Sequence, residues 1–233
     1  MKQLEIGDAL YASKKFDEAE ILFPQSIWAT KASLMSAYAL YSQNYYDDAI
    51  FNLERHIKNY PKDKDLVYAH YLIAICYFEQ LYDERKDLKP LVKAREKFEH
   101  ILKKYPNTDY AIDAKWKMGL IVDQMAAKEM YIGRYYMKME KWIAAINRFK
   151  FVVKYYDTTV YIEEALHRLV EIYYKIGLVE DAQKIAATLG YNYGSGEWYK
   201  NSYRIFNKSY KTEKITKKKK DSFIRKKFKK LFE

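Results

Sequence analysis

The sequence predicts an all-α fold, a solenoid of about five helix-turn-helix units. Three observations carry this prediction. Seven Gly and four Pro in 233 residues leave too few turn residues for a many-stranded sheet. Hydrophobic residues make up 49% of the chain, which is enough for a sizeable core. A short pattern also recurs along the chain at intervals typical of helical repeats.

Four segments begin with a helix breaker or a polar turn residue and carry an alanine eight positions later. They run from Pro24 to Ala32, Pro61 to Ala69, Pro106 to Ala114 and Asp157 to Ala165. Each segment also offers Ser, Thr or Asp as a helix cap. The breaker ends one helix, the polar residue caps the next, and the small alanine lets two helices approach closely.

A second alanine marks each of five units, three positions after an aromatic or large apolar residue. These markers are Ala19, Ala49, Ala94, Ala145 and Ala182. Pro61 and Pro106 follow Ala49 and Ala94 by twelve positions. These offsets match the tetratricopeptide pattern, in which a first helix (A) packs against a second helix (B).

The markers are unevenly spaced, which predicts irregular units. Pro24 follows Ala19 by five positions rather than twelve. Helix B of the first repeat is therefore predicted to be shortened by about two turns. Residues 83–90 are predicted to form a charged loop inside the third repeat. The stretch from about Tyr110 to Met139 predicts one long helix, or two helices joined at a kink.

The domain organisation predicted from these patterns has three parts. Residues 1–105 hold repeats one to three, residues 106–204 hold repeats four and five, and residues 205–233 form a basic tail. From residue 208 to the end there are twelve Lys or Arg and three Asp or Glu, a net charge of +9. The other 207 residues carry 30 basic and 28 acidic groups, so a basic nucleic-acid-binding domain is not expected.

The tail has apolar residues on one side of a helical wheel and most of its cations on the other. The apolar members are Phe223, Ile224, Phe228, Leu231 and Phe232. This pattern predicts a short amphipathic helix able to form on an anionic membrane surface. A disordered extension and a contact with nucleic acid or the ribosome are the alternatives.

Catalytic and metal-binding signatures are not found in the sequence, so neither an enzyme nor a cofactor is expected. The four histidines lie far from one another along the chain, and no glycine-rich phosphate loop occurs. Cys76 lies in an apolar run and is predicted to be a buried thiol. The chain carries no signal peptide and no apolar stretch of membrane-spanning length, so either the protein is cytosolic or the given chain lacks its N-terminus.

Several segments resemble the BamD (ComL) family, the tetratricopeptide lipoproteins of the outer-membrane β-barrel assembly machinery. The resemblance runs in order from about residue 4 to residue 204. The segments that carry it are 28–41, 128–136, 144–149, 164–170, 189–193 and 197–199.

The resemblance implies a scaffold of five repeats at the periplasmic face of the outer membrane. In the family, the C-terminal half docks onto the POTRA domains of the barrel-forming subunit. By motif, Arg148 is the docking arginine and Asn147 lies beside it. The N-terminal repeats are implicated in binding unfolded β-barrel proteins, and Trp28, Tyr38 and Tyr41 fall in the corresponding segment. Other assembly lipoproteins are further possible partners.

Several alternatives stay open at this stage. Without the family resemblance, Arg148 would be interpreted as a solvated residue or as a member of an internal salt bridge. Tyr38 and Tyr41 would be interpreted as core residues of helix A. Trp28 follows a turn and is expected to be partly exposed. The family's signal peptide and lipid-bearing cysteine are not in the chain. A cytosolic tetratricopeptide adaptor for another partner is therefore the alternative function, and a shortened first repeat puts the substrate groove in doubt.

Overall fold

The computed structural model describes residues 8–80, 87–194 and 196–207. Within these residues the chain forms ten helices and no strand. They are α1 Ala9–Leu22, α2 Ala29–Tyr41, α3 Tyr46–Asn59, α4 Leu66–Glu79, α5 Lys89–Lys104, α6 Asp109–Lys138, α7 Trp142–Tyr155, α8 Ile162–Lys175, α9 Val179–Tyr193 and α10 Glu197–Phe206. The predicted fold class, an all-α array of tetratricopeptide-type helix pairs, is confirmed.

Contacts divide the chain into two compact units, Met1–Ala165 and Leu166–Glu233. In the first unit each helix from α1 to α6 packs against the next one along the chain, so that the series ends with α6 on α7. One core cluster joins α2, α3 and α4, and a second joins α4, α5 and α6. Cys76 of α4 is fully buried in the first cluster, as predicted. In the second unit α9 packs against α10.

The first repeat differs from its prediction. Its helix B is α1, which has 14 residues, the same length as α3 and α7. Ala19 is exposed, whereas Ala12 is 2% exposed. Pro24 follows Ala12 by twelve positions, as Pro61 follows Ala49. The marker alanine is therefore Ala12, and the prediction of a shortened helix B is wrong. The apolar–x–x–Ala pattern at Phe16 matched by chance on the outer face of the helix.

The turn from helix A to helix B has a recurring backbone conformation. Asn44, Glu140 and Gly177 each adopt a positive φ, at 63°, 58° and 86°. Each lies five positions before the marker alanine of its unit, Ala49, Ala145 or Ala182. Asn and Gly accept this left-handed conformation readily, whereas Glu adopts it at some cost in strain.

The polar residues predicted as caps act in two ways. Thr108 is the N-cap of α6, and its Oγ1 accepts a hydrogen bond of 3.3 Å from the Ala111 amide. Ser26 and Asp63 instead accept hydrogen bonds from amides two residues further on, inside the turns that precede α2 and α4. The polar residue follows the proline by two positions in all three repeats, but α2 and α4 begin two residues later after the proline than α6 does.

The long helix predicted between repeats three and four is a single helix, α6, of 30 residues. Its Gly133 faces α7. A Cβ atom at Gly133 would lie 2.6 Å from Cε1 of Phe149, a fully buried ring. The predicted close packing of helix A on helix B is therefore present in this repeat.

The structure describes two of the predicted segments only in part. Residues 83–86 of the charged loop and residues 208–233 of the basic tail lie outside the described residues, whereas Lys89 already begins α5. The domain boundary placed between residues 105 and 106 stays a prediction. No helix in the described ranges combines the length and the apolar character that crossing a membrane requires.

Candidate functional site

A groove on the first unit contains both predicted docking residues. Asn147 and Arg148 lie on α7 and line a cavity of about 300 Å³ together with Tyr136, Ala144 and Phe151. The Phe151 side chain is 40% exposed. The groove therefore offers one cation, one amide and apolar surface within a small area.

The Arg148 guanidinium is held in place by a carboxylate on the neighbouring helix. Its Nη1 donates to Oε2 of Glu129 on α6 at 3.0 Å. The Arg148 side chain is 42% exposed, whereas that of Glu129 is only 17% exposed. Of the alternatives left open by the sequence, the internal salt bridge is present. It fixes the arginine at the edge of the groove and leaves part of it accessible to solvent.

Tyr38 and Tyr41 lie together on the last turns of α2, with their ring centroids 6.1 Å apart. The Tyr41 hydroxyl donates to Glu79 of α4 at 3.0 Å, and its ring packs against both core clusters. Burial raises the pKa of Tyr41, and the bond to Glu79 raises it further. Tyr38 is more exposed, at 37%. Tyr41 is therefore a structural residue, and Tyr38 is the one that presents its ring to solvent.

The tyrosines continue from α2 across the next helices of type A. The ring of Tyr110, in the first turn of α6, lies 5.9 Å from Tyr68 and 5.0 Å from Tyr71, both on α4. The Tyr71 hydroxyl donates to Asp113 of α6. Burial raises the pKa of Tyr68 to about 12, and Tyr38 is among the groups that act on it. We call Tyr38, Tyr41, Tyr68, Tyr71 and Tyr110 the tyrosine row.

Three members of this row were not singled out by the sequence. The chain has 25 Tyr, and their spacing does not distinguish a surface row from the core. Their position in the repeats could have identified two of them. Tyr68 and Tyr71 lie on α4, which is the next helix A after the one that carries Tyr38 and Tyr41.

Trp28 lies away from the tyrosine row. It precedes the first residue of α2, whereas Tyr38 and Tyr41 lie near the end of that helix. Ten residues of helix separate Trp28 from Tyr38 by about 15 Å. The indole is 63% exposed, as the sequence predicted, and Lys31 Nζ lies 4.9 Å from the ring centroid. The three residues assigned to one groove therefore occupy two places.

The histidines include one pair that the sequence did not reveal. His70 of α4 and His100 of α5 have ring centroids 4.7 Å apart, although they are 30 positions apart in the chain. Burial and the neighbouring cations lower the pKa of His70 to about 4. Across the described ranges, side chains of His, Cys, Asp and Glu form no group of three or more suited to a metal ion.

Successive helix pairs of this kind define a repeat protein of the tetratricopeptide type. The family can be assigned more closely. A sequence profile of the YfiO family, described as outer membrane lipoprotein, matches residues 1–189. The chain belongs to this family, which agrees with the resemblance to BamD noted from the sequence.

Curated relatives support the assignment over most of the chain. The outer membrane protein assembly factor BamD of Caulobacter vibrioides is 43% identical over 205 residues, which is 88% of this chain and 67% of the relative. BamD of Rickettsia prowazekii is 39% identical, covering 83% of this chain and 77% of the relative. BamD of Neisseria meningitidis is 32% identical, covering 80% and 75%.

Proposed function

We propose that this protein is a non-catalytic scaffold for the assembly of β-barrel proteins at the periplasmic face of the outer membrane. Membership of a family of outer membrane lipoproteins supports this proposal, as do relatives named outer membrane protein assembly factor. The observation that carries the docking part is the groove around Arg148 and Asn147. The partner proposed for this groove is the POTRA domains of the barrel-forming subunit, and other assembly lipoproteins are further candidate partners.

The groove suits an acidic segment of a partner. A guanidinium has five N–H donors in a planar fork, and the bond to Glu129 uses Nη1. A partner carboxylate either binds beside Glu129 or displaces it. Phe151 and Ala144 add apolar contact area next to the charge, and the Asn147 amide adds hydrogen-bonding capacity. A charged anchor beside an apolar surface is typical of interface hot spots.

Charge reversal tests the docking role. Arg148→Glu should weaken binding to purified POTRA domains by about tenfold or more, because it places a carboxylate opposite the partner's acid. Lys154→Glu is the matched control, since it makes the same charge change on the same helix. We expect it to alter the dissociation constant by less than about twofold. Equal losses in the two variants would contradict a specific docking site.

Two further variants distinguish the effect of the planar guanidinium from the effect of its positive charge. Arg148→Lys keeps the charge but loses the planar fork, so binding should weaken. Glu129→Gln removes the internal competitor for the guanidinium, so binding should be unchanged or stronger. If Glu129→Gln weakens binding as much as Arg148→Glu without loss of the fold, the salt bridge positions the arginine for the partner and Glu129 is not a competitor. Circular dichroism on each variant monitors folding.

We further propose that the tyrosine row binds extended segments of unfolded β-barrel proteins. Tyr38 presents its ring to solvent, while hydrogen bonds to Glu79 and Asp113 hold Tyr41 and Tyr71 in fixed orientations. Tyrosines lose little conformational entropy on binding and offer both apolar area and a hydroxyl. Trp28 is left out of this surface because it lies at the opposite end of α2.

Fluorescence anisotropy with a labelled, unfolded β-barrel segment tests the row. Tyr38→Ser should lower the affinity several-fold, because an exposed aromatic contact is lost. Tyr191→Ser is the control, since Tyr191 is 92% exposed and lies in the second unit. Identical affinities of the two variants would rule out Tyr38 as a contact.

A further inference from the structure

The turn between α1 and α2 presents an unusual amount of apolar surface. Five large apolar side chains there are between 63% and 81% exposed: Ile21, Leu22, Phe23, Ile27 and Trp28. The ten residues from 21 to 30 include no charged side chain. We call residues 21–28 the apolar tip. Exposed apolar clusters of this kind mark sites that contact another molecule or a membrane.

Three backbone amides of the apolar tip already have hydrogen-bond partners within the chain. The Phe23 amide donates to Ala19 at 3.1 Å, and the Ser26 amide donates to Phe23 at 3.0 Å. The Trp28 amide donates to the Ser26 hydroxyl at 3.2 Å. An amide that is already paired loses less when it leaves water. This pairing lowers the cost of moving these three amides into a less polar medium.

The helix that carries the apolar tip is firmly attached to its neighbour. Arg55 of α3 donates to Asp17 at 2.7 Å and to Glu20 at 3.2 Å. Tyr60, which follows α3, donates to the other oxygen of Glu20 at 2.8 Å. Glu20 is only 8% exposed. Asp17 and Glu20 are therefore paired with residues of the neighbouring repeat. These contacts hold the end of α1 that carries the tip.

Cations lie at the same end of the repeats. Successive helices run in opposite directions, so the ends of α1, α3 and α5 share one side of the first unit, as the contacts Tyr60–Glu20 and Tyr105–His70 show. The turns at that side, residues 58–65 and 103–109, contain five Lys and three Asp. The lysines are Lys58, Lys62, Lys64, Lys103 and Lys104, and all are exposed.

We propose that this end of the first unit binds a phospholipid surface. The apolar tip inserts at the level of the headgroups, and the lysines face the phosphates. Two features favour lipid over a protein partner. The large side chains of the tip are between 63% and 81% exposed, which suits a deformable surface. Trp28 stacked under Lys31, beside uncharged apolar residues, is also the composition of an interfacial anchor.

A local probe can distinguish the apolar tip from the basic tail, which attracts anionic vesicles by itself. Cys76 is fully buried and its thiol pKa is raised to about 12 by burial, so an introduced cysteine can be labelled selectively. An environment-sensitive dye at Ile27→Cys should shift to the blue with mixed phosphatidylethanolamine and phosphatidylglycerol vesicles. Brominated lipid should quench it. The same dye at Gln43→Cys, at the opposite end of α2, should change little.

A pair of charge substitutions measures the contribution of the apolar tip in the full chain. Phe23→Asp and Gln43→Asp change the net charge equally, and both retain the tail. Phe23→Asp should raise the dissociation constant for the vesicles by about tenfold, because a large apolar contact is lost and a charge is added. Gln43→Asp should change it by less than about twofold.

Three results would overturn the proposal. The first is no response of the dye at residue 27, or equal responses at residues 27 and 43. The second is a response to an unfolded polypeptide but not to vesicles, which would assign the apolar tip to a protein partner. The third is concentration-dependent self-association in analytical ultracentrifugation that Phe23→Asp abolishes, which would assign it to a second copy of the chain.

Discussion

At Gly133 the long helix α6 passes so close to α7 that a side chain has no room. The nearest atoms to a Cβ built there are three ring carbons of Phe149, at 2.6 to 3.0 Å. Phe149 is fully buried, so its ring cannot move aside freely. Gly119 lies on the same helix but has no atom within 4 Å of such a Cβ. The two glycines therefore offer a matched comparison.

Gly133→Ala should destabilise the protein and Gly119→Ala should stabilise it. Overpacking at Gly133 costs about 1–3 kcal/mol, which exceeds the gain of about 0.5–1 kcal/mol from replacing a helical glycine. At Gly119 only that gain applies. Urea unfolding followed by circular dichroism measures both. Opposite signs are expected, and stabilisation by both substitutions would show that the α6–α7 contact yields easily.

At the residue scale, the sequence predicted whether a residue is buried or exposed better than it predicted which residues meet in the packed fold. The burial of Cys76 followed from its apolar neighbours, and the exposure of Trp28 followed from the turn before it. The choice of Ala19 over Ala12 failed because both lie in plausible local patterns. Only the packed helix shows which side faces inward. The pairing of Arg148 with Glu129 depends on the register between α6 and α7, which no short motif encodes.

At the level of elements, α4 and α5 are joined by a contact between two histidine rings, which are tilted at 50° to each other. His70 is held near His100, with Lys97 and Lys104 nearby. Burial is the main cause that lowers the pKa of His70 to about 4, and the three neighbouring bases lower it further. This packing therefore requires a neutral imidazole.

The α4–α5 pair should lose stability as the pH falls. An unfolded histidine has a pKa near 6.5, so between about pH 6.5 and pH 4 the unfolded state binds more protons at this site. The contribution of His70 is thus complete above about pH 7 and declines below it. In His70→Gln the free energy of unfolding should fall less steeply over that range. Parallel curves for the two proteins would contradict the assignment.

The helices were more predictable than the turns between them. Breaker, cap and alanine spacing located α2 to α5, and the long run without a breaker predicted α6. The left-handed turns at Asn44 and Glu140 were not predicted, because neither residue requires that conformation. The tyrosine row was missed because it joins three helices that are distant in sequence.

At the scale of the molecule, the division into two compact units separates their stabilities. In the second unit, His167 Nδ1 and Ser202 Oγ are 2.8 Å apart, and both residues are buried. Repeat proteins couple mainly through nearest neighbours. Damage to this contact should therefore remain within the second unit.

Ser202→Ala should reduce amide-exchange protection in α8 and α10, which this contact joins, but leave α2 and α3 unchanged. A buried histidine nitrogen without its partner costs about 1–3 kcal/mol. Ser33→Ala is the control, because the buried Ser33 hydroxyl has no hydrogen-bond partner to lose. Hydrogen exchange measured by mass spectrometry gives both results. Loss of protection across α2 and α3 in Ser202→Ala would mean that the chain unfolds as one cooperative unit.

The length of α6 has a mechanical consequence. Its 30 residues span about 45 Å, roughly twice the length of its neighbours. Tyr110 of the tyrosine row lies in its first turn, and Glu129, which holds Arg148, lies about 28 Å further along the same helix. No loop interrupts the helix between them. Because the helix is continuous, a tilt of ~5° about Tyr110 would displace Glu129 by ~2.5 Å.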